Sequence, residues 1–339
     1  AKHDISPDDF LHRHIPHISL SWKRNLGIFA VFTGSMIGTM HVINRIITYI
    51  ATAENYLDKD SYEYYNWRFG KIAYKKKGNG SPILLVHNLD VCSSSDEWKN
   101  IEKELAKTNT VYSIDLLGCG CSDHPAFTYT NFLYVQLITD FIKHVIGTKT
   151  DIIVSGDSSS FILMASANDE TIINRIIMIN PQNLISLAKV PTKRTKLIKY
   201  LIFAPIIGTF IYNIKINKRT IAHKFASSYY YDQNAISEKD ILTCFESSHK
   251  DKGHSKYLYA CQKSRYTNAN ILFCLSKLNN SIFIISGNGN PENALSASQY
   301  QNHLPSIEII EMNNAKQLPH VEKPDEFIEQ VRILFADEE

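Results

Sequence analysis

One stretch constrains this chain more than any other: Ile152-Ile153-Val154-Ser155-Gly156-Asp157-Ser158-Ser159-Ser160-Phe161, continuing into Ile162-Leu163-Met164-Ala165. The β-branched run reads as a buried strand, and the apolar run after the small polar residues reads as a helix. A strand that feeds a helix through glycine and small side chains makes a sharp turn, with Ser158 at its tip. Such a turn strains the backbone at the tip and needs small neighbours so that the helix can approach closely. The pattern is G-x-S-x-G with Ser160 in place of the last glycine. The decapeptide alone fits a glycine turn with a serine cap better than a nucleophile turn, so its place in the chain has to decide.

That place is set by alternation. Tyr62 to Trp67 and Lys71 to Lys75 read as a hairpin joined at Gly70. Pro82 to Val86, Val111 to Ile114, Ile176 to Ile179, Ser281 to Ile285 and Ile307 to Ile310 are short apolar runs of the kind that form strands covered on both faces. Helical patterns lie between them. Trp98, Ile101 and Leu105 mark one helix face; Thr130 caps a helix that ends at Gly147; Pro324 opens the last helix, whose buried face is Phe327, Ile328, Val331, Leu334 and Phe335. Strands alternating with helices predict a mostly parallel sheet. Ligands of such sheets bind past the carboxyl ends of the strands, where His87, Ser158, Asn180 and Asn290 all stand.

With 36 Lys+Arg against 34 Asp+Glu in 339 residues, the charge is balanced. Neither a basic excess nor a binding motif points to nucleic acid. The 6 cysteines form no spaced framework and read as free thiols, which favours a reducing compartment. His12, His14 and His17 lack a Cys or carboxylate at ligand spacing, and Cys119, Cys121 and His124 offer three ligands only, so no metal is expected. From Leu26 to Asn44 there is no charged side chain, nearly the ~20 residues that span a bilayer. Gly27, Gly34, Gly38 and His41 weaken that pattern, and Trp22, Lys23 and Arg24 before it suit a membrane surface. A spanning anchor, an interfacial helix and a helix buried against the domain all fit. The flanking charges place the domain outside the cell and the cysteines place it inside, so sidedness stays open.

Taken in order, these signals resemble the α/β-hydrolase superfamily over about residues 62–339. His87-Asn88 stands where the family has His-Gly after the third strand. Asp115 to Ser122 matches its D-x-x-G-x-G-x-S loop, Gly156 to Ser160 its nucleophile turn, and Gly287-Asn288-Gly289-Asn290-Pro291 its acid loop. Leu318-Pro319-His320-Val321-Glu322-Lys323-Pro324 matches its closing histidine segment. In detail the chain is most similar to membrane-linked members from Gram-positive anaerobes. The resemblance implies an α/β fold, a mostly parallel sheet flanked by helices, with a helical lid and an N-terminal apolar helix. Residues 1–55 then form the membrane or interfacial segment, 56–183 and 279–339 the two parts of the core, and 184–278 the lid.

It also implies a mechanism. Ser158 attacks a carbonyl, His320 takes and returns the proton, and the N–H groups of Ser159 and of Leu89 or Asn88 hold the oxyanion. The acid position holds Asn290, which can orient an imidazole but not stabilise its charge; loss of that charge costs ~10⁴ in turnover in serine proteases. Glu292 is the displaced alternative, while Asn180 and Asn183 supply no carboxylate at the other site the family uses. Asn88 and Ser160 replace glycines. In the lid, the apolar run Leu197 to Tyr212, flanked by Lys193, Arg194, Lys196, Lys215 and Lys218, is either a roof packed on the core or a surface guiding a lipid-like substrate from the membrane. Two functions follow. One is a membrane-associated serine hydrolase of the carboxylesterase or lipase type, acting on a small apolar acyl ester, without cofactor and anchored through residues 26–53. The other is a degenerate relative that binds a ligand or partner at a membrane without turnover. Transfer to an acceptor other than water uses the same residues as the first.

Overall fold

The computed structural model describes residues 20–57 and 61–337. His12, His14 and His17 lie outside them. Eight strands form one sheet in the order β1-β2-β4-β3-β5-β6-β7-β8. The hairpin β1 (Glu63–Trp67) and β2 (Gly70–Lys77) is antiparallel, as is the β2–β4 pair; every pairing among β3 (Ser81–Val86), β4 (Asn109–Ile114), β5 (Thr150–Ser155), β6 (Ile173–Ile179), β7 (Ile282–Gly287) and β8 (Glu308–Met312) is parallel. The expected fold class is the one found.

Period-two alternation sorts the strand side chains between two cores. Leu84, Val86, Ile152 and Val154 join one cluster; Ile83, Leu85 and Ile153 join the other. Helix α1 (Leu20–Thr52) precedes the sheet. Helices α2 (Glu102–Leu105), α3 (Asn131–Phe141) and α4 (Ser159–Asn168) alternate with the first strands. The predicted helix carrying Trp98, Ile101 and Leu105 is broken instead. A 3₁₀ turn over Ser95–Trp98 and the single turn of α2 deliver those three side chains, all buried, to the second core. Thr130 caps α3 through Oγ1 on the Leu133 N–H (3.3 Å), and Gly147, with φ +79°, closes the turn that follows.

Between β6 and β7 the chain leaves the sheet as seven helices: α5 (Leu184–Leu187), α6 (Lys193–Phe203), α7 (Ile206–Lys215), α8 (Lys218–Lys224), α9 (Glu238–Gly253), α10 (Ser255–Lys263) and α11 (Leu272–Leu275). Helices α12 (Pro291–His303), α13 (Pro319–Glu322) and α14 (Pro324–Leu334) complete the chain.

Helix α1 is long and apolar enough to cross a membrane. From Ser21 to Ile43 it presents no buried residue, whereas Asn44 and Ala51 are buried against the insertion. Burial against the domain thus describes only its last third. The seam is polar: Asn44 Nδ2 donates to the Ile206 carbonyl (3.1 Å), Asn213 Nδ2 to Asn44 Oδ1 (2.9 Å), and the His249 ring meets Asn213 Oδ1 (3.1 Å).

Candidate active site

Strand β5 ends at Ser155, and the chain turns there. The residue that takes the left-handed conformation is Gly156, with φ +55°. Ser158 is two residues further on, at φ −73° and ψ −12°, an ordinary right-handed conformation. Its assignment to the tip of the turn is therefore corrected: the strain falls on the residue with no Cβ to oppose it. Ser158 is fully buried, and its hydroxyl donates to the His87 carbonyl at 2.7 Å, tying the end of β3 to the turn.

The space above the apex is filled. Asn88 Oδ1 accepts the Asp157 N–H at 2.9 Å, and a Cβ on Gly156 would lie 2.3 Å from that same oxygen. In a nucleophile turn the reacting side chain projects from the strained apex and the next N–H faces the oxyanion. Here the apex bears no side chain, and the next N–H is already bonded to an amide oxygen. Of the other expected oxyanion residues, Leu89 is buried with its carbonyl accepting from Gln262 Nε2 (2.6 Å), and Ser159 is buried at the start of α4.

His320 sits on α13, fully buried, its ring 4.7 Å from that of Trp98 and 5.6 Å from that of Phe327. Its Nε2 bonds Glu97 Oε1 at 2.9 Å, and Glu97 Oε2 accepts the Asn88 N–H at 3.2 Å. Burial alone would raise the Glu97 carboxyl, but the hydrogen bond and charge of His320, with smaller help from Ser155 and His87, together hold the group below the usual carboxylate range. An ionised carboxylate only accepts, so Nε2 carries the proton and donates. The Nδ1 atom is buried and has no partner among the described residues.

Neither candidate acid meets this ring. Asn290 Oδ1 accepts the Glu292 N–H (3.1 Å) and caps α12, and Glu292 is exposed in the first turn of that helix. Asn180, at φ +43°, accepts from the Gly287 N–H (3.1 Å) and donates to the Lys316 and Gln317 carbonyls (both 3.0 Å), so it braces the loops around His320. Asn183 caps α5. The glycine loop has a similarly structural cause. Asp115 accepts from the Ser95 N–H (2.7 Å) and the Cys121 N–H (2.8 Å), and a Cβ on Gly120 would strike its carboxylate at 2.3 Å.

Two acidic residues that sequence reasoning passed over belong to this region. Glu97 holds His320, and nothing in its sequence surroundings marks it. Asp157 stands inside the serine motif, where the pattern gives it no role. It lines a cavity under the insertion with Asp90, Lys224, Tyr259 and Gln262. Its carboxyl forms no hydrogen bond or ion pair among the described residues. Burial, then the charge of Asp90, raises it to about 6 against the opposing pull of Lys224. Asp90 itself is paired with Lys224 at 2.6 Å.

Residues 83–330 match the model of the alpha/beta hydrolase family. The chain belongs to that family. A hydrolase of 2-hydroxy-6-oxo-6-(2'-aminophenyl)hexa-2,4-dienoic acid from Metapseudomonas resinovorans is 25% identical over 114 residues, 33% of this chain and 39% of that enzyme. The stretch in common thus spans about two fifths of the relative. Among solved structures, the epoxide hydrolase CorEH aligns at a TM-score of 0.64 and 18% identity, over 81% of this chain and 98% of that one. A bromoperoxidase from Bacillus anthracis aligns at 0.65 and 14%, over 82% and 100%. At these identities the structural likeness speaks for the fold alone.

Proposed function

We propose that this protein is an alpha/beta hydrolase family member that holds a small polar ligand beneath its helical insertion, tethered to a membrane by α1, and does not turn over esters through Ser158 and His320. One observation carries the reading: the Asn88 amide lies over Gly156 and takes the Asp157 N–H. An ester oxyanion forming at this turn would have to displace that oxygen, with no side chain at the apex to attack. The other groups are committed in the same sense. The Ser158 proton is held by a backbone carbonyl, and His320 Nε2 is bonded to Glu97 and not to Ser158. The cavity beside Asp157 is lined by charged and amide groups as well as apolar ones, so the ligand it suits is more polar than an acyl chain.

Serine ester hydrolysis is the second reading. Family membership and the chain order Ser158, Asn290, His320 favour it. It requires the Asn88 amide to swing out and His320 to exchange Glu97 for Ser158. Fluorophosphonate labelling of the full chain, with Ser158→Ala as the control, separates the two. The expected result is no labelling that depends on Ser158. Labelling or ester turnover that disappears in a folded Ser158→Ala protein would establish the second reading and end the first.

A further inference from the structure

The junction between α1 and the insertion forms an open pocket of about 440 Å³. From α1 it is lined by His41, Arg45, Thr48 and Tyr49, a spacing that puts them on one helix face. Thr209 of α7 and Lys252 at the end of α9 face them. Neither Arg45 nor Lys252 makes an ion pair among the described residues, and the neighbouring acid, Asp251, is turned to His254 at 3.7 Å. Lys252 is held in a left-handed conformation (φ +57°), as is Asp251 before it (φ +50°). Both are costly for side chains with a Cβ. A chain that keeps two basic groups and a histidine around one pocket, at a backbone cost, is arranged for an anion.

Depth says which anion. Residues 21–43 of α1 carry no buried residue, and at 1.5 Å per residue they are about 34 Å long, enough to cross a hydrocarbon core of ~30 Å. If α1 spans, the bilayer ends where the insertion begins to cover the helix. His41 and Arg45 then stand at the level of the headgroups, with Lys252 and Thr209 closing over them from the protein side. We infer that this pocket binds the phosphate of a membrane phospholipid, with Arg45 and Lys252 pairing its oxygens and Thr48 and Tyr49 supplying hydroxyl donors. The inference rests on α1 as a membrane anchor and is independent of what Ser158 does. Basic pockets at the cytoplasmic or matrix ends of membrane helices are known to take headgroups in this way.

The test uses the full chain in nanodiscs of phosphatidylcholine with or without phosphatidylglycerol, released gently and weighed by native mass spectrometry. Wild type should retain a phospholipid, and the Arg45→Gln/Lys252→Gln variant should retain at least tenfold less. Lys252→Gln alone, an exposed position, guards against misfolding of the pair and should lower retention on its own. Equal retention by wild type and both variants would overturn the inference. So would millimolar inorganic phosphate displacing the lipid completely, since the site would then be one for a soluble anion. Wild type that enters nanodiscs but retains no lipid sinks only this inference, whereas wild type that fails to enter sinks the anchor and the inference with it.

Discussion

The occupied apex makes a quantitative prediction. Replacing Gly156 by alanine forces a Cβ into a left-handed residue, which costs roughly 1–2 kcal/mol. It also sets that Cβ 2.3 Å from Asn88 Oδ1, where real atoms do not sit. Overpacking of that kind costs roughly 1–3 kcal/mol more. The single variant should therefore lose about 2–5 kcal/mol. Asn88→Ala removes the obstructing amide and its bond to the Asp157 N–H, a loss of about 1 kcal/mol. In that background Gly156→Ala should cost only the backbone part, so the two changes should couple by about 1–3 kcal/mol, well above the few tenths by which independent sites fail to add. Urea unfolding in detergent, followed by the fluorescence of the fully buried Trp98 beside His320, measures the cycle. If the two effects add to within about half a kcal/mol, the Asn88 side chain does not occupy the apex, and the argument against ester chemistry loses its support.

Three further outcomes follow from the same geometry. Ser158→Ala leaves the His87 carbonyl without its side-chain donor and should destabilise by about 1 kcal/mol, with the Tm falling by a few degrees in calorimetry. Asp157 has a folded value near 6, above its unfolded one, so the folded state binds more protons between about pH 4 and 6 and its stability falls as pH rises through that window. Asp157→Asn should accordingly be more stable than wild type at pH 7, by up to about 3 kcal/mol, and not at pH 4; a Tm difference independent of pH would contradict this. Asn213→Ala strips a shared partner from Asn44 and His249 at once and should cost about 2–3 kcal/mol. It should also sharply increase proteolytic cleavage of the segment just after α1.

The fold was legible because its signals are periodic and local. Apolar runs such as Pro82 to Val86 and Ile152 to Val154, short and rich in branched side chains, suit a strand covered on both faces, and Thr130, Gly147 and Pro324 punctuate helices by backbone chemistry that needs no tertiary context. The site was legible only as a list of residues. The motif pattern aligns Ser158 with a nucleophile, but which residue takes the left-handed conformation depends on where β5 stops pairing with β6, at Ser155–Ile179. That pairing shifts the apex to Gly156. The Glu97–His320 bond joins two segments far apart in the chain and has no sequence signature. Asn290 was weighed against a carboxylate, whereas its side chain is spent on the first turn of α12. The helix at 98–105 was overread for a related reason. Three buried side chains at helical spacing can also come from two short turns that happen to face one core.

The polar clasp at the foot of α1 bears on how the molecule can be handled. Removing residues 20–52 to obtain an easily purified fragment would do more than delete a hydrophobic tail. It would bare Asn213 and His249, leave the Ile206 carbonyl without the Asn44 amide, and open the faces of α7 and α9 that pack on α1 to water. The fragment's roof would be a surface that the intact chain never exposes, and stickiness or lost binding in such a preparation would report on the cut and not on the protein.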